Sequence, residues 1–200
     1  SAIIVAWVKS RHCFNLTSMR RVLFSGSITV GHFFNSLSIT CAAASSIPVI
    51  TNPLTDLPES FEKLGSTQSN VGRMVDAGVK VAIGGLSGGI TGPRTAPQFA
   101  GNLVALNKVP RATGLSWGEA FASITSIPAD ISGYGGRYGV LKPGSAGDVV
   151  IWDGDPLELS SAPVRVFIDG IEQPLTNHQT RLRERYRDLD ESNLPKAYDW

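Results

Sequence analysis

Residues 139–170 read GVLKPGSAGDVVIWDGDPLELSSAPVRVFIDG, and this stretch decides the fold. A turn opens it at Lys142-Pro143-Gly144, and a short apolar run follows, Asp148-Val149-Val150-Ile151-Trp152. The acidic turn Asp153-Gly154-Asp155-Pro156 leads to a second run, Val164-Arg165-Val166-Phe167-Ile168, which Asp169-Gly170 closes. β-branched and aromatic runs bounded by Gly, Pro and Asp predict strands joined by turns and a loop, because the bounding residues supply turn dihedrals that a continuing strand disfavours.

Upstream the pattern changes to helix, Gly, strand. Residues 70–77 (NVGRMVDA) predict a helix with Asn70 as its cap and Gly78 as its stop, followed by a strand at 79–83 (VKVAI). An earlier strand is predicted at 47–51 (IPVIT), stopped by Asn52-Pro53. This alternation is the repeating unit of a parallel α/β architecture. Residues 84–97 (GGLSGGITGPRTAP) are loop by composition, and 98–106 predict a helix. Ser116, three residues before Glu119, makes a capping box at the head of a helix over 116–128 (SWGEAFASITSIP), with Pro128 marking its end region and 129–132 as one further turn. Near the start, 2–8 (AIIVAWV) and 20–24 (RRVLF) are short apolar runs read as strands, and 33–44 fits a helix packed on a sheet. The charged segment 181–189 predicts a surface helix.

Composition narrows the function classes. The chain has 200 residues, 42% of them hydrophobic, and a formal net charge of +1. That supports one or two globular domains with a real core and gives no electrostatic footprint for nucleic acid. No stretch reaches the roughly 18–20 apolar residues that span a bilayer, and 2–8 lacks the basic leader of a signal peptide. The two cysteines, Cys13 and Cys41, imply neither a disulfide framework nor a metal site by spacing. The chain opens on Ser1, as a processed or partial product does.

The closing stretch resembles the end of the amidohydrolase superfamily, in the branch around imidazolonepropionase. There the pattern is G-x-L-x-P-G-x-x-A-D followed by two hydrophobic residues, a D-P-L turn, and a strand ending V-x-x-D-G. Residues 114–131 (GLSWGEAFASITSIPADI) are similar to the superfamily's G-L-x-x-x-E-A-L-x-x-x-T-x-x-P-A helix, with Thr125, Pro128 and Ala129 in the expected order. Residues 77–83 resemble the entry into its eighth barrel strand, and 48–53 (PVITNP) a segment one unit earlier. The resemblance implies an α/β fold, a metal-dependent TIM-type barrel with a small β-sandwich built from both chain ends. A complete barrel takes about 250 residues. The expectation is therefore a partial barrel, its last βα units, over 1–135. The C-terminal β-sandwich strands would take 136–175, and a charged tail 176–200. Such a piece leaves sheet edges able to pair with a second copy.

What the resemblance implies chemically is hydrolysis of C–N bonds other than peptide bonds, with one or two divalent, zinc-like metals and a small-molecule substrate. The metal lowers the pKa of bound water and polarises the carbonyl. The superfamily supplies an H-x-H pair after strand one, a Lys or Glu after strand four, histidines after strands five and six, and an Asp after strand eight. This chain contains no H-x-H; its three histidines are His12, His32 and His178. Residues 81–86 read VAIGGL where the superfamily has G-T-D or G-S-D, so Leu86 stands at the aspartate position. Leucine can neither bind metal nor accept a proton, and the adjacent Ser87 is a poor base. Asp76 lies before the strand, on the wrong side of the barrel.

His32, which follows RRVLF at a plausible distance, is the metal-ligand candidate; a surface or hydrogen-bonded histidine is the plainer reading. His12 lies too close to RRVLF for a parallel crossover, and His178 falls in the polar tail. No residue is assigned to catalysis, and this chain alone is expected to bind no metal. Asp153 and Asp155 read as turn residues rather than an acid/base pair. Gly84-Gly85 and Gly88-Gly89 fit neither phosphate-binding fingerprint. Trp117, Tyr134 and Tyr138 are packing residues by expectation. Three functions stand open: the C-terminal portion of an amidohydrolase, inactive alone; a non-catalytic binding module that kept the fold; and an unrelated α/β protein with a coincidental hairpin.

Overall fold

A computed structural model describes residues 3–6, 46, 48–53, 61, 67–84 and 93–187, with 3–6 given by their backbone. The expected strand at 20–24 and helix at 33–44 lie outside these residues. Strand β2 (Val49–Thr51) pairs in parallel with β3 (Val81–Ile83), with Val49 opposite Val81 and Thr51 opposite Ile83. β3 is buried along its whole length, as a strand covered on both faces must be.

Helix α1 (Ser69–Asp76) precedes β3 and buries Val71 and Met74, three residues apart and so on one face. It ends as the sequence predicts. Gly78 has a φ of +83, its N–H donates to Val75 O at 2.8 Å, and Val79 N–H donates to Met74 O at 2.9 Å. That pair of bonds is the Schellman closure. The start differs from expectation. Asn70 sits inside the first turn, where its Oδ1 accepts from Arg73 Nη1, and Gln68 occupies the cap position without a side-chain cap bond.

Helix α2 (Ala96–Ala105) carries Pro97 in its first turn, where a missing N–H costs nothing, and buries Phe99, Ala100 and Leu103. The helix expected over 116–128 is two helices, α3 (Trp117–Ala122) and α4 (Ser126–Ile131). The reason is Pro128. It has no N–H for the Ile124 carbonyl, and its ring crowds that carbonyl, so the break falls one turn upstream. The hydroxyls of Ser123 and Thr125 donate to Ala120 O and Phe121 O, each at 2.7 Å, and satisfy the last turn of α3.

The capping box forms in both directions. Ser116 N–H donates to Glu119 Oε2 at 2.8 Å, and Glu119 N–H donates to Ser116 Oγ at 3.3 Å. The bond to the Ser116 side chain, then that to its backbone, holds the Glu119 carboxyl below its ordinary value of 4.5. Ser116→Ala is expected to cost about 1 kcal/mol, a Tm loss of about 3 °C. Because the folded pKa is depressed, this stabilisation is present above pH 4.5 and is lost as pH falls through the folded value. Calorimetry of both proteins from pH 7 to pH 3 should show the deficit shrink in acid; a deficit that grows would disprove the box's role.

The closing strands form their own antiparallel sheet, in the order β1 (Ile3–Ala6), β4 (Val149–Trp152), β5 (Pro163–Ile168), β6 (Ile171–Gln173). β4 (Val149–Trp152) and β5 (Pro163–Ile168) are the two predicted runs, paired with a bulge at Ile151/Trp152. Asp169 and Gly170, with φ of 53 and 77, make a two-residue turn of the primed type into β6 (Ile171–Gln173), a strand the sequence reading left unassigned. The turn is tied back to the head of β4. Asp169 N–H donates to Asp148 Oδ1, and Gly170 N–H donates to Gly147 O. The strand expected within 2–8 is β1 (Ile3–Ala6), and it adds to β4, with Ile3 opposite Trp152 and Ala6 opposite Val149. It therefore joins the closing strands and not the parallel pair. Helix α5 (His178–Arg185), capped by Asn177, follows with no buried residue. The core lies between β2, β3 and helices α1 to α3, and Leu157 from the D-P-L turn completes it.

Candidate functional site

Chemistry on parallel strands collects at their C-terminal ends, where loops carry the variable residues. Here that end is marked by Thr51 on β2 and by Ile83-Gly84 on β3. Thr51 is buried, and its carbonyl accepts from Gly84 N–H at 2.8 Å, so the two strand ends are locked in register. A Cβ at Gly84 would lie 2.4 Å from Ile50 Cγ2, which explains glycine where the strands leave the sheet side by side. Asn52 follows β2 directly and sits at this mouth. In the sequence it is only a strand stop; its position directly after a strand of the parallel pair is the signal that marks it.

The other sequence candidates fall as follows. Leu86, Ser87, His12, His32, Cys13 and Cys41 lie outside the described residues, as do all of residues 85–92 of the Gly-rich segment. Asp76 closes α1, before β3 begins, and so is at the end of the strand opposite the mouth. His178 opens α5 on the surface. Among the described residues no three His, Cys, Asp or Glu side chains gather as a metal would require. The residues described here do not fit a metal centre on their own.

Asp153 and Asp155 both hold the turn through their carboxylates. Asp153 Oδ1 accepts from Ala162 N–H at 2.7 Å. Asp155 accepts from Leu157 N–H at 2.9 Å, and both its oxygens face Trp117 Nε1, at 3.0 and 2.9 Å. Trp117 in turn stacks on Phe121, with ring centroids 5.1 Å apart. Tyr134 and Tyr138 meet edge to face, and Arg137 lies over the Tyr138 ring. A shallow apolar groove of about 340 Å³, lined by Val75, Val79, Lys80, Ala122 and Ile127, opens beside the start of β3. It is at the wrong end of the strand for the mouth. Among the described residues no helix is long and apolar enough to cross a membrane.

The order of elements and motifs has counterparts in known proteins. Over 60 residues the chain is 50% identical to amidohydrolase tasK of Hapsidospora irregularis, a stretch covering 30% of this chain and 6% of that protein. An amidohydrolase structure from Thermotoga maritima superposes with a TM-score of 0.58 at 27% identity, over 68% of this chain and 33% of its own. Escherichia coli guanine deaminase shares the fold, with a TM-score of 0.51 at 19% identity over 73% of this chain and 38% of its own. The chain thus spans little more than a third of the solved structures it matches. The sequence model of the amidohydrolase family matches residues 18–180, from before the parallel pair, through the broken helix and the closing sheet, into α5. With that match running over most of its length, the chain belongs to the amidohydrolase family.

Proposed function

We propose that this chain is the C-terminal portion of a metal-dependent hydrolase acting on C–N bonds other than peptide bonds in a small-molecule substrate. In this reading β2, α1, β3 and α2 to α4 are the last βα units of a TIM-type barrel, and β4 to β6 are the C-terminal share of its sandwich. The observation that carries it is the arrangement itself: a parallel pair with its helices, then the antiparallel strands β4 to β6 in a separate sheet, within one continuous family match. The separate sheet speaks against a coincidental hairpin inserted in an unrelated α/β sheet. A divalent, zinc-like metal would supply an activated water and a polarised carbonyl in such a hydrolase. The described residues offer it no ligand cluster. Their part is to hold the strand ends in register and the mouth in shape.

A second reading, a binding module without a metal, is favoured by Leu86 at the position where the superfamily has its aspartate. Both readings expect the isolated chain to lack turnover and to hold no metal, so binding of a small molecule is what separates them. The chain is purified from zinc-supplemented culture, its metal is measured by mass spectrometry, and it is assayed on amides, cyclic amides and aminopurines. Stoichiometric zinc would support a hydrolase ancestry with a surviving ligand such as His32, and His32→Ala should then remove it. No zinc, with thermal stabilisation by a small molecule, would favour the binding module. Metal-dependent turnover by the isolated chain would overturn the expectation of inactivity.

A further inference from the structure

We propose that the tip of the loop between α2 and α3, residues 108–111, is an oxyanion-binding point at the rim of the mouth. The Arg111 guanidinium is its main contact, and its ligand is a carboxylate or phosphate group of a small molecule. The inference is independent of the hydrolase reading and stands on a conformation that nothing inside the chain explains. Ala112 N–H donates to Val109 O at 3.2 Å, which closes a turn with Pro110 and Arg111 at its centre. Arg111 has a φ of +65. Proline followed by a left-handed residue is the type II arrangement, and its third position favours Gly or Asn because a larger side chain is crowded there. Here that position holds an arginine.

The base of the loop is fixed and its tip is open. Asn107 Oδ1 accepts from Gly114 N–H at 3.2 Å, and Asn107 Nδ2 donates to Leu115 O at 2.8 Å. Thr113 N–H donates to Ser69 Oγ at 3.2 Å, and a Cβ at Gly72 would lie 2.5 Å from Thr113 O, so the loop rests on α1. Because α1 connects two parallel strands it runs against them, and its first residue, Ser69, lies at their C-terminal end. The bond from Thr113 therefore pins the loop at the level of the mouth. Beyond the pins, residues 107–111 are exposed, Val109 by 51%. Among the described residues neither Lys108 nor Arg111 forms an ion pair. Residues 77–118 contain no Asp or Glu, and the next acid, Glu119, is engaged by Ser116. Strain that rigid surroundings hold in place gathers at ligand clamps. A guanidinium offers an oxyanion two parallel donors, and Lys108 adds a second positive charge.

The test is nuclear magnetic resonance of the whole chain, observing arginine Nε–H and backbone amides. Inorganic phosphate is titrated in one arm and acetate in the other, with ionic strength held constant by chloride. In at least one arm Arg111 Nε and the Ala112 amide should shift saturably, with a Kd below about 10 mM, and the tighter arm identifies the ligand as phosphate or carboxylate. Arg111→Gly suits the turn and removes the guanidinium. It should melt no lower than the parent and bind the anion at least about tenfold more weakly. Shifts that stay linear in both arms would reveal an adventitious surface charge only and overturn the proposal. So would unchanged affinity in Arg111→Gly. A Tm loss above about 2 °C in that variant would mean that the guanidinium already serves its own chain, and would overturn it equally.

Discussion

Gly139→Ala is expected to destabilise the chain by about 3 kcal/mol, the sum of two separable costs. The first is conformational. Gly139 has a φ of +71, where an L side chain pays about 1–2 kcal/mol. The second is steric. A Cβ would lie 2.4 Å from Thr125 O, 2.6 Å from Thr125 C and 2.9 Å from Ser126 N. All three are backbone atoms of the α3–α4 break and cannot rotate away as a flexible side chain could. Overpacking of that kind adds about 1–3 kcal/mol. Gly144 isolates the first cost, because its φ is +85 and nothing lies within 4 Å of its added Cβ. Urea unfolding followed by tryptophan fluorescence should therefore place Gly139→Ala at least about 1.5 kcal/mol below Gly144→Ala. Equal losses would mean that the entry to the closing sheet does not press on the helix break.

That contact also shows where sequence reading succeeds and where it stops. Features whose cause lies within four or five residues were legible: the capping box at Ser116, the Gly78 stop, the Asp169-Gly170 turn and the two runs at 148–152 and 164–168. Features caused by a distant partner were not. Pro128 marks the end region of one helix in the sequence, although the groups it deprives of a partner lie a turn earlier, and the Ser123 carbonyl is answered by Ile83, forty residues back in the chain. β6 carries Glu172 between Ile171 and Gln173 and has no strong strand pattern. Its pairing comes from the turn before it and from Glu172 accepting both guanidinium bonds of Arg165, at 2.8 and 2.7 Å. β1 is apolar enough to be a strand in any sheet, so its composition could not choose between the parallel pair and β4.

The candidate site was less legible than the fold, for a physical reason. A barrel site is assembled from the ends of several strands, each supplying one or two residues, so its parts are far apart in sequence and carry no local pattern. The motifs of the closing stretch identify the family because they are turns and caps, which are local. Leu86 is informative only against the superfamily's aspartate, and Asn52 only once β2 is seen to run parallel to β3. Asp153 and Asp155, the pair most like an acid/base site by spacing, are explained by backbone and indole donors that lie up to 38 residues away.

Leu157→Ala is expected to cost about 3 kcal/mol, within the range for emptying a buried leucine site. Leu157 is 6% exposed and belongs to the same core as Leu103, Leu115 and Ala120, although it comes from the turn between two strands of the other sheet. Its seat is tight. A Cβ at Gly101 would lie 2.4 Å from the Leu157 carbonyl, so α2 passes directly against the turn and leaves little room for collapse into a cavity. Asp155 holds the turn by accepting from Leu157 N–H while its two oxygens receive Trp117 Nε1. The D-P-L motif is thus the rivet between the closing sheet and the α/β part. Asp155→Asn should cost about 1–2 kcal/mol, because an amide nitrogen would meet a donor from the indole or the backbone. Trp117→Phe removes the same bond from the other side, so the double variant should lose less than the sum of the singles by about 1 kcal/mol. Two unfolding steps in Leu157→Ala, where the parent shows one, would mean that the two parts now melt apart. A loss under about 1 kcal/mol with a single transition would show that the turn rides on the surface of the core and rivets nothing.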